Sequence, residues 1–259
     1  MRIFLNLALT LVLCTQSVIA QQTKPRSDSE LEAITARGRM LADYDAASRY
    51  ATDAVVGLKP AHGVVARNIA RKSDGRWVVA GGRFNETKDA FLIVYQATQG
   101  GSPEQFSVKT YDPPKNDTGF FFTAAKGIQI SLESSHLEKR PYNTYVLPLD
   151  SGQFYVYVLP ARATAGVYPL GGDTRYLLSA DGSNILETRQ LHKTILENQH
   201  APSSDKKTVA GYHTHVLTDM PEDTDVFHVL VQSPPRAEYV GTKSGTYLVN
   251  PDGTIKRVK

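Results

Sequence analysis

Three of the chain's seven histidines and four of its acids crowd into the stretch from Tyr212 to His228. These side chains are the ones that ligate metal ions or move protons near neutral pH. His213 and His215 are separated by one residue, so on a strand both project from the same face. If Thr218 to Asp225 forms the loop of a hairpin and Leu217 faces Val226, His215 stands opposite His228. All three imidazoles then share a face, and a slip of one residue would send His228 to the other side.

Zinc favours imidazole and carboxylate, and a catalytic zinc commonly keeps three protein ligands and a water. His213, His215 and Asp225 form one such set; His228 is the alternative third ligand. Asp219, Glu222, Asp223 and Asp225 could instead wrap a calcium ion as a carboxylate-rich loop. The competing reading has the two histidines on an exposed strand face and the acids in a solvated turn. His192, before Lys193 and Thr194, reads as surface or helix-cap material. Nucleophile elbows, phosphate loops, dinucleotide fingerprints and paired-cysteine motifs are absent.

The elements that would carry these residues are mostly strands. Ser27-Asp28-Ser29-Glu30 has helix-start chemistry, and apolar residues at Leu31, Ile34, Leu41, Ala51 and Val55 predict an amphipathic helix over 29–56, with a bend at Gly38. From Val64 the pattern turns to hairpins. Asp74-Gly75, Asp181-Gly182 and Asp252-Gly253 mark tight turns between β-patterned runs. The stretch 117–135 fits either strand or helix. Phe154 to Leu159 is apolar or aromatic on both faces, as in a strand covered on both sides. The expected fold class is α+β: antiparallel hairpins with the helix packed on them. Pro- and Gly-rich residues 160–173 suggest a boundary between a helix-plus-sheet region (29–160) and a C-terminal β-rich region (161–259).

Met1 to Ala20 has the layout of a cleavable export signal: Arg2, the apolar run Ile3 to Leu13, then small residues at Val18 and Ala20. Residues 21–28 follow as a disordered start. Cys14, the single cysteine, leaves with the signal. The mature chain is expected to be secreted or periplasmic, with neither thiol nor membrane span. Lys and Arg number 29 against 26 Asp and Glu, with no dense basic tract, so nucleic acid is not an expected partner.

His213-Thr214-His215 followed by Asp225 resembles the JAMM metallopeptidases, whose motif is His-x-His, a loop, then Ser-x-x-Asp. The resemblance covers residues 175–258. It implies that His213, His215 and Asp225 hold zinc, and that an upstream glutamate handles the water proton, Glu187 being the nearest candidate. Glu222 stands where that motif has serine. Two functions follow: an exported, non-catalytic binding or envelope-associated module, or a secreted zinc-dependent hydrolase.

Overall fold

The computed structural model describes residues 26–58, 64–199 and 209–258. The expected export signal and most of the expected disordered start therefore lie outside the described residues. Helix α1 (Arg26–Val56) is one unbroken run. It buries Ile34, Leu41, Tyr44, Ala47, Ala51 and Val55, at the three- and four-residue steps that keep side chains on one side of a helix.

Strands β1 (Arg67–Ser73), β2 (Arg76–Phe84), β3 (Phe91–Gln99) and β4 (Phe106–Asp117) form an antiparallel meander in that order. Its first turn places Asp74 at φ 49° and Gly75 at φ 77°, the left-handed pair a two-residue hairpin demands. The ambiguous stretch after β4 is helix α2 (Phe120–Glu133). Asp117 Oδ2 accepts the Phe122 N–H at 3.1 Å, and Phe121, Ala124, Ala125 and Ile128 turn inward. A helix-entry acceptor and helical spacing thus outweigh the β propensity of three consecutive phenylalanines.

A second antiparallel sheet has the order β5 (Tyr142–Pro148), β6 (Phe154–Pro160), β8 (Thr174–Leu178), β9 (Ile185–Gln190). Between β6 and β8, β7 (Val167–Gly171) leaves the sheet and pairs with β10 (Ile195–Gln199). β6 and β8 pair directly across the Pro- and Gly-rich stretch, so one sheet runs over both sides of it.

The last sheet corrects the hairpin expected around Tyr212–His228. β11 (Ala210–Thr214) ends before the loop, and Asp223–Val231 is helix α3. α3 carries the chain to β12 (Ala237–Thr242), which lies parallel to β11; β13 (Gly245–Val249) and β14 (Ile255–Val258) complete the sheet. The helix wins because Asp223 and Asp225 occupy its first turn, where carboxylates favour the free N–H groups. Val226 and Val229 then bury as a helical pair.

Two cores result. The larger lies between the first two sheets and helices α1 and α2. The smaller gathers Ile34, Val226, Val229, Val240, Tyr247 and Val249 between α1, α3 and the last sheet. α1 belongs to both, and Gly38 sits where it crosses α3. No helix among the described residues is long and apolar enough to cross a membrane.

A Cβ at Gly38 would lie 2.6 Å from Asp223 O and 2.7 Å from Val226 Cγ1. Alanine is ordinarily better than glycine inside a helix by about 1 kcal/mol. Here the close approach reverses the sign. Gly38→Ala should lower stability by about 1–3 kcal/mol, read as a lower urea midpoint at unchanged m-value.

Tyr44 fixes the other half of α1. Its hydroxyl accepts the Ala70 N–H at 2.9 Å, with its ring edge-on to Trp77 and Tyr145. Burial pushes its phenol up to about 12. In the unfolded chain a tyrosine ionises near pH 10, so the neutral phenol's contribution is complete below that pH. It is lost as pH rises from about 10 through about 12. Tyr44→Phe should cost about 1–3 kcal/mol at neutral pH by leaving the Ala70 amide unpaired. That deficit should shrink through the same alkaline window, as measured by chemical unfolding at stepped pH.

Candidate metal centre

The strand period decides what β11 buries. Tyr212 and Thr214 are exposed, whereas His213 and His215 are buried. The His215 N–H donates to Gly241 O at 2.8 Å, which carries the pairing with β12 one residue beyond the strand. The loop then returns to α3, where Asp225 Oδ2 accepts the Glu222 N–H at 2.7 Å. That bond fixes the carboxylate's rotation at the helix entry.

A second buried acid anchors the same turn. Asp223 Oδ1 accepts from Arg37 Nε and Nη2 at 2.9 and 2.8 Å, and its Oδ2 accepts from Arg175 Nη1 and the Tyr157 hydroxyl, each at 2.7 Å. α1, β6 and β8 thus converge on one carboxylate two residues from Asp225.

His192 comes from the second sheet, just past β9. The turn between β7 and β8 receives it: Asp173 Oδ1 accepts both the His192 backbone N–H at 3.1 Å and its Nδ1–H at 2.8 Å. Gly171 and Gly172 make this turn at φ 86° and 63°. A side chain at Gly171 would also run into Thr194 O.

The four side chains meet at one point. His192 Nε2 lies 2.9 Å from His215 Nε2 and 3.1 Å from Asp225 Oδ1. His213 Nε2 lies 3.1 Å from His215 Nε2 and 3.0 Å from Asp225 Oδ1, and His215 Nε2 is 3.2 Å from Asp225 Oδ2. One ligand atom from each residue falls within 4.8 Å of all the others. Relative exposures are 8, 5, 5 and 0% for His192, His213, His215 and Asp225. Bonds of about 2.0–2.1 Å to a tetrahedral zinc imply ligand–ligand edges of about 3.3 Å, close to these separations.

The far side of each ring is also committed. His192 Nδ1 faces Asp173, His213 Nδ1 lies 2.9 Å from Glu238 Oε1, and His215 Nδ1 lies 2.9 Å from Met220 O. Acceptors at every Nδ1 assign the proton there and aim the three Nε2 lone pairs inward. Burial works to lower the pKa of His192, yet Asp173 and Asp225 outweigh it and raise the group well above its ordinary value. His213, with burial likewise opposing, is raised to about 9 by Asp225 and Glu238. Burial would raise Asp225, but the two histidines hold it well below the usual carboxylate range. Metal binding would have to displace these protons, so affinity should rise with pH. The convergence of the four buried ligand atoms is what could hold a metal ion.

Of the residues read from the sequence, His213, His215 and Asp225 come together. His228 does not join them: one helical turn past Asp225, it is buried in the wall of a separate recess. Glu187 is exposed on β9 and stands outside the group. Its neighbour Arg189 is the side chain that reaches α3, bonding Glu222 Oε1 at 2.6 Å. The calcium loop is not formed, because Asp223 is paired with arginines and Glu222 with Arg189. Nor are the histidines exposed. His192, expected at the surface, is the residue sequence reasoning missed. No spacing links it to His213; the local hint is the glycine pair before Asp173. No family model matches the chain, and comparison with curated proteins and with solved structures finds no significant match.

Glu238 reaches His213 only because its partner across the β11–β12 pairing is Gly211, where a Cβ would fall 2.7 Å from the Glu238 Cδ. Gly211→Ala and Glu238→Gln should each weaken metal affinity about 10–100-fold, measured by competition with a chromophoric chelator.

Proposed function

We propose that this chain is an exported, non-catalytic binding or envelope-associated module in which His192, His213, His215 and Asp225 hold one zinc ion. The observation that carries the reading is the convergence of three inward-facing Nε2 atoms and a carboxylate, each ring steadied by an acceptor at Nδ1. Three imidazoles and one carboxylate suit zinc in softness and number. Four protein donors fill a tetrahedral shell, and all four are buried, as in sites that stabilise a fold.

The chemistry such an ion supplies here is cross-linking. It would tie the segment after β9 to β11 and to α3, in a chain whose single cysteine lies in the export signal. The signal pattern of residues 1–20 supports a secreted or periplasmic location, where a metal can do what disulfides often do.

The test is to express the full chain with its signal and recover it from the exported fraction. Mass spectrometry of the metal content should give one zinc per chain, absent in His213→Ala and in Asp225→Ala. Chelation should lower the melting temperature by about 10 °C, from roughly 4 kcal/mol of linked binding. A metal-free protein of unchanged stability would overturn the reading.

The secreted zinc hydrolase of JAMM type is the second reading. It is favoured by one arrangement: His-x-His at the end of a strand, then a helix with Asp225 in its first turn, then a parallel strand. It requires His192 to leave or the shell to expand to five, and it requires Glu187, exposed and outside the group, to move within reach of the water proton. Cleavage of peptide or isopeptide bonds that disappears in Glu187→Gln, with zinc content unchanged, would establish it in place of the first.

A further inference from the structure

Two arginines of the second sheet grip the entry to α3. Arg175 on β8 and Arg189 on β9 are direct partners in the pairing of those strands. Like charges set opposite one another across a sheet repel, so each arginine calls for an acid of its own. They meet consecutive ones: Arg175 Nη1 donates to Asp223 Oδ2 at 2.7 Å, and Arg189 Nη2 donates to Glu222 Oε1 at 2.6 Å. Glu222 is 1% exposed, whereas the Arg189 side chain is 37% exposed, so this second pair runs from the surface to the interior.

Glu222 is also the N-cap of α3 and forms a capping box with Asp225. The Glu222 side chain accepts the Asp225 N–H, and the Glu222 N–H donates to Asp225 Oδ2 at 2.7 Å. Three residues after Arg189 the same segment supplies His192, whose Nε2 lies 3.1 Å from Asp225 Oδ1. Residues 189 and 192 thus meet residues 222 and 225, and Arg189 touches the metal-type group through Glu222.

A carboxylate can give a metal ion one oxygen or two. Oδ2 of Asp225, 3.2 Å from His215 Nε2, is tied to the Glu222 N–H. Oδ1 lies 3.1 and 3.0 Å from the Nε2 atoms of His192 and His213, which leaves it as the ligand oxygen. One oxygen and three imidazoles make the four donors that a tetrahedral ion takes. A carboxylate released to turn would offer both oxygens and enlarge the shell. Buried ion pairs add little net stability, so the contribution of Arg189 and Glu222 is the setting of that carboxylate.

We propose that Arg189 is a positioning residue: by holding Glu222 it keeps Asp225 a one-oxygen ligand and the centre four-coordinate. The inference rests on the reading of His192, His213, His215 and Asp225 as a zinc site, and it adds what sets the coordination number there.

Cobalt(II), titrated into the metal-stripped full chain, is the probe, because its visible absorption is strong when four-coordinate and weak in larger shells. Wild type should give a strong band. Arg189→Gln should lower the band per bound ion by about half and weaken zinc binding about tenfold in competition with a chelator. Arg189→Lys, which keeps the charge and a donor, should recover most of both. Glu222→Gln should reproduce the losses of Arg189→Gln, and it carries the comparison if that variant does not fold. An unchanged band per bound ion in the variants, even with a lower melting temperature, would make the pair a strut and overturn this inference alone. A wild type that binds neither cobalt nor zinc would overturn the zinc reading together with it.

Discussion

Crowding three imidazole nitrogens and a carboxylate into one dry volume is the constraint from which the rest of this structure can be understood. Lone pairs held about 3 Å apart repel unless a proton or a cation lies between them, and burial denies them water. The fold must therefore supply the compensation. It does so with acceptors behind each ring: Asp173, Glu238 and the Met220 carbonyl. Two of the three are buried acids, so the negative charge that steadies the rings also makes the centre attractive to a cation.

Those acceptors are possible only because side chains are missing elsewhere. Gly211 leaves room for Glu238, and Gly171 leaves room for the segment that follows His192. Gly38 lets α1 press against α3 beside the Asp223 node, where two arginines and a tyrosine from three elements share one carboxylate. A buried ion cluster of this kind contributes little net stability, since desolvation offsets most of the attraction. What it contributes is position. With Asp223 fixed from three directions, the first turn of α3 has one orientation, and Asp225 inherits it.

How much of this the sequence disclosed follows from the range of the interactions. The strands, the Asp-Gly turns, the N-terminal helix and the shared face of His213 and His215 depend on neighbours a few residues apart, and local pattern reveals them. The stretch after Thr218 misled because the mostly apolar run from Val226 to Val231 fits a strand as well as a helix. The acids at 223 and 225 carry the helix-entry chemistry that decides between the two. His192 was illegible for a different reason. Its partners lie on another sheet, and nothing in Leu191-His192-Lys193 distinguishes a buried imidazole from a solvated one. Glu187 is exposed on β9 and stands outside the group, and its sequence neighbours carry no mark of either.

That His192 belongs to one sheet and its three companions to a different core also bears on when the centre can exist. Neither half holds four ligands alone. The second sheet must fold its β7–β8 turn, and β11, α3 and β12 must close their parallel crossover, before the nitrogens meet. Contacts of such long sequence separation form late. The complete ligand set would appear only once both layers had docked on α1. The centre would then act as a latch on a finished molecule, and its occupancy would report that folding is complete.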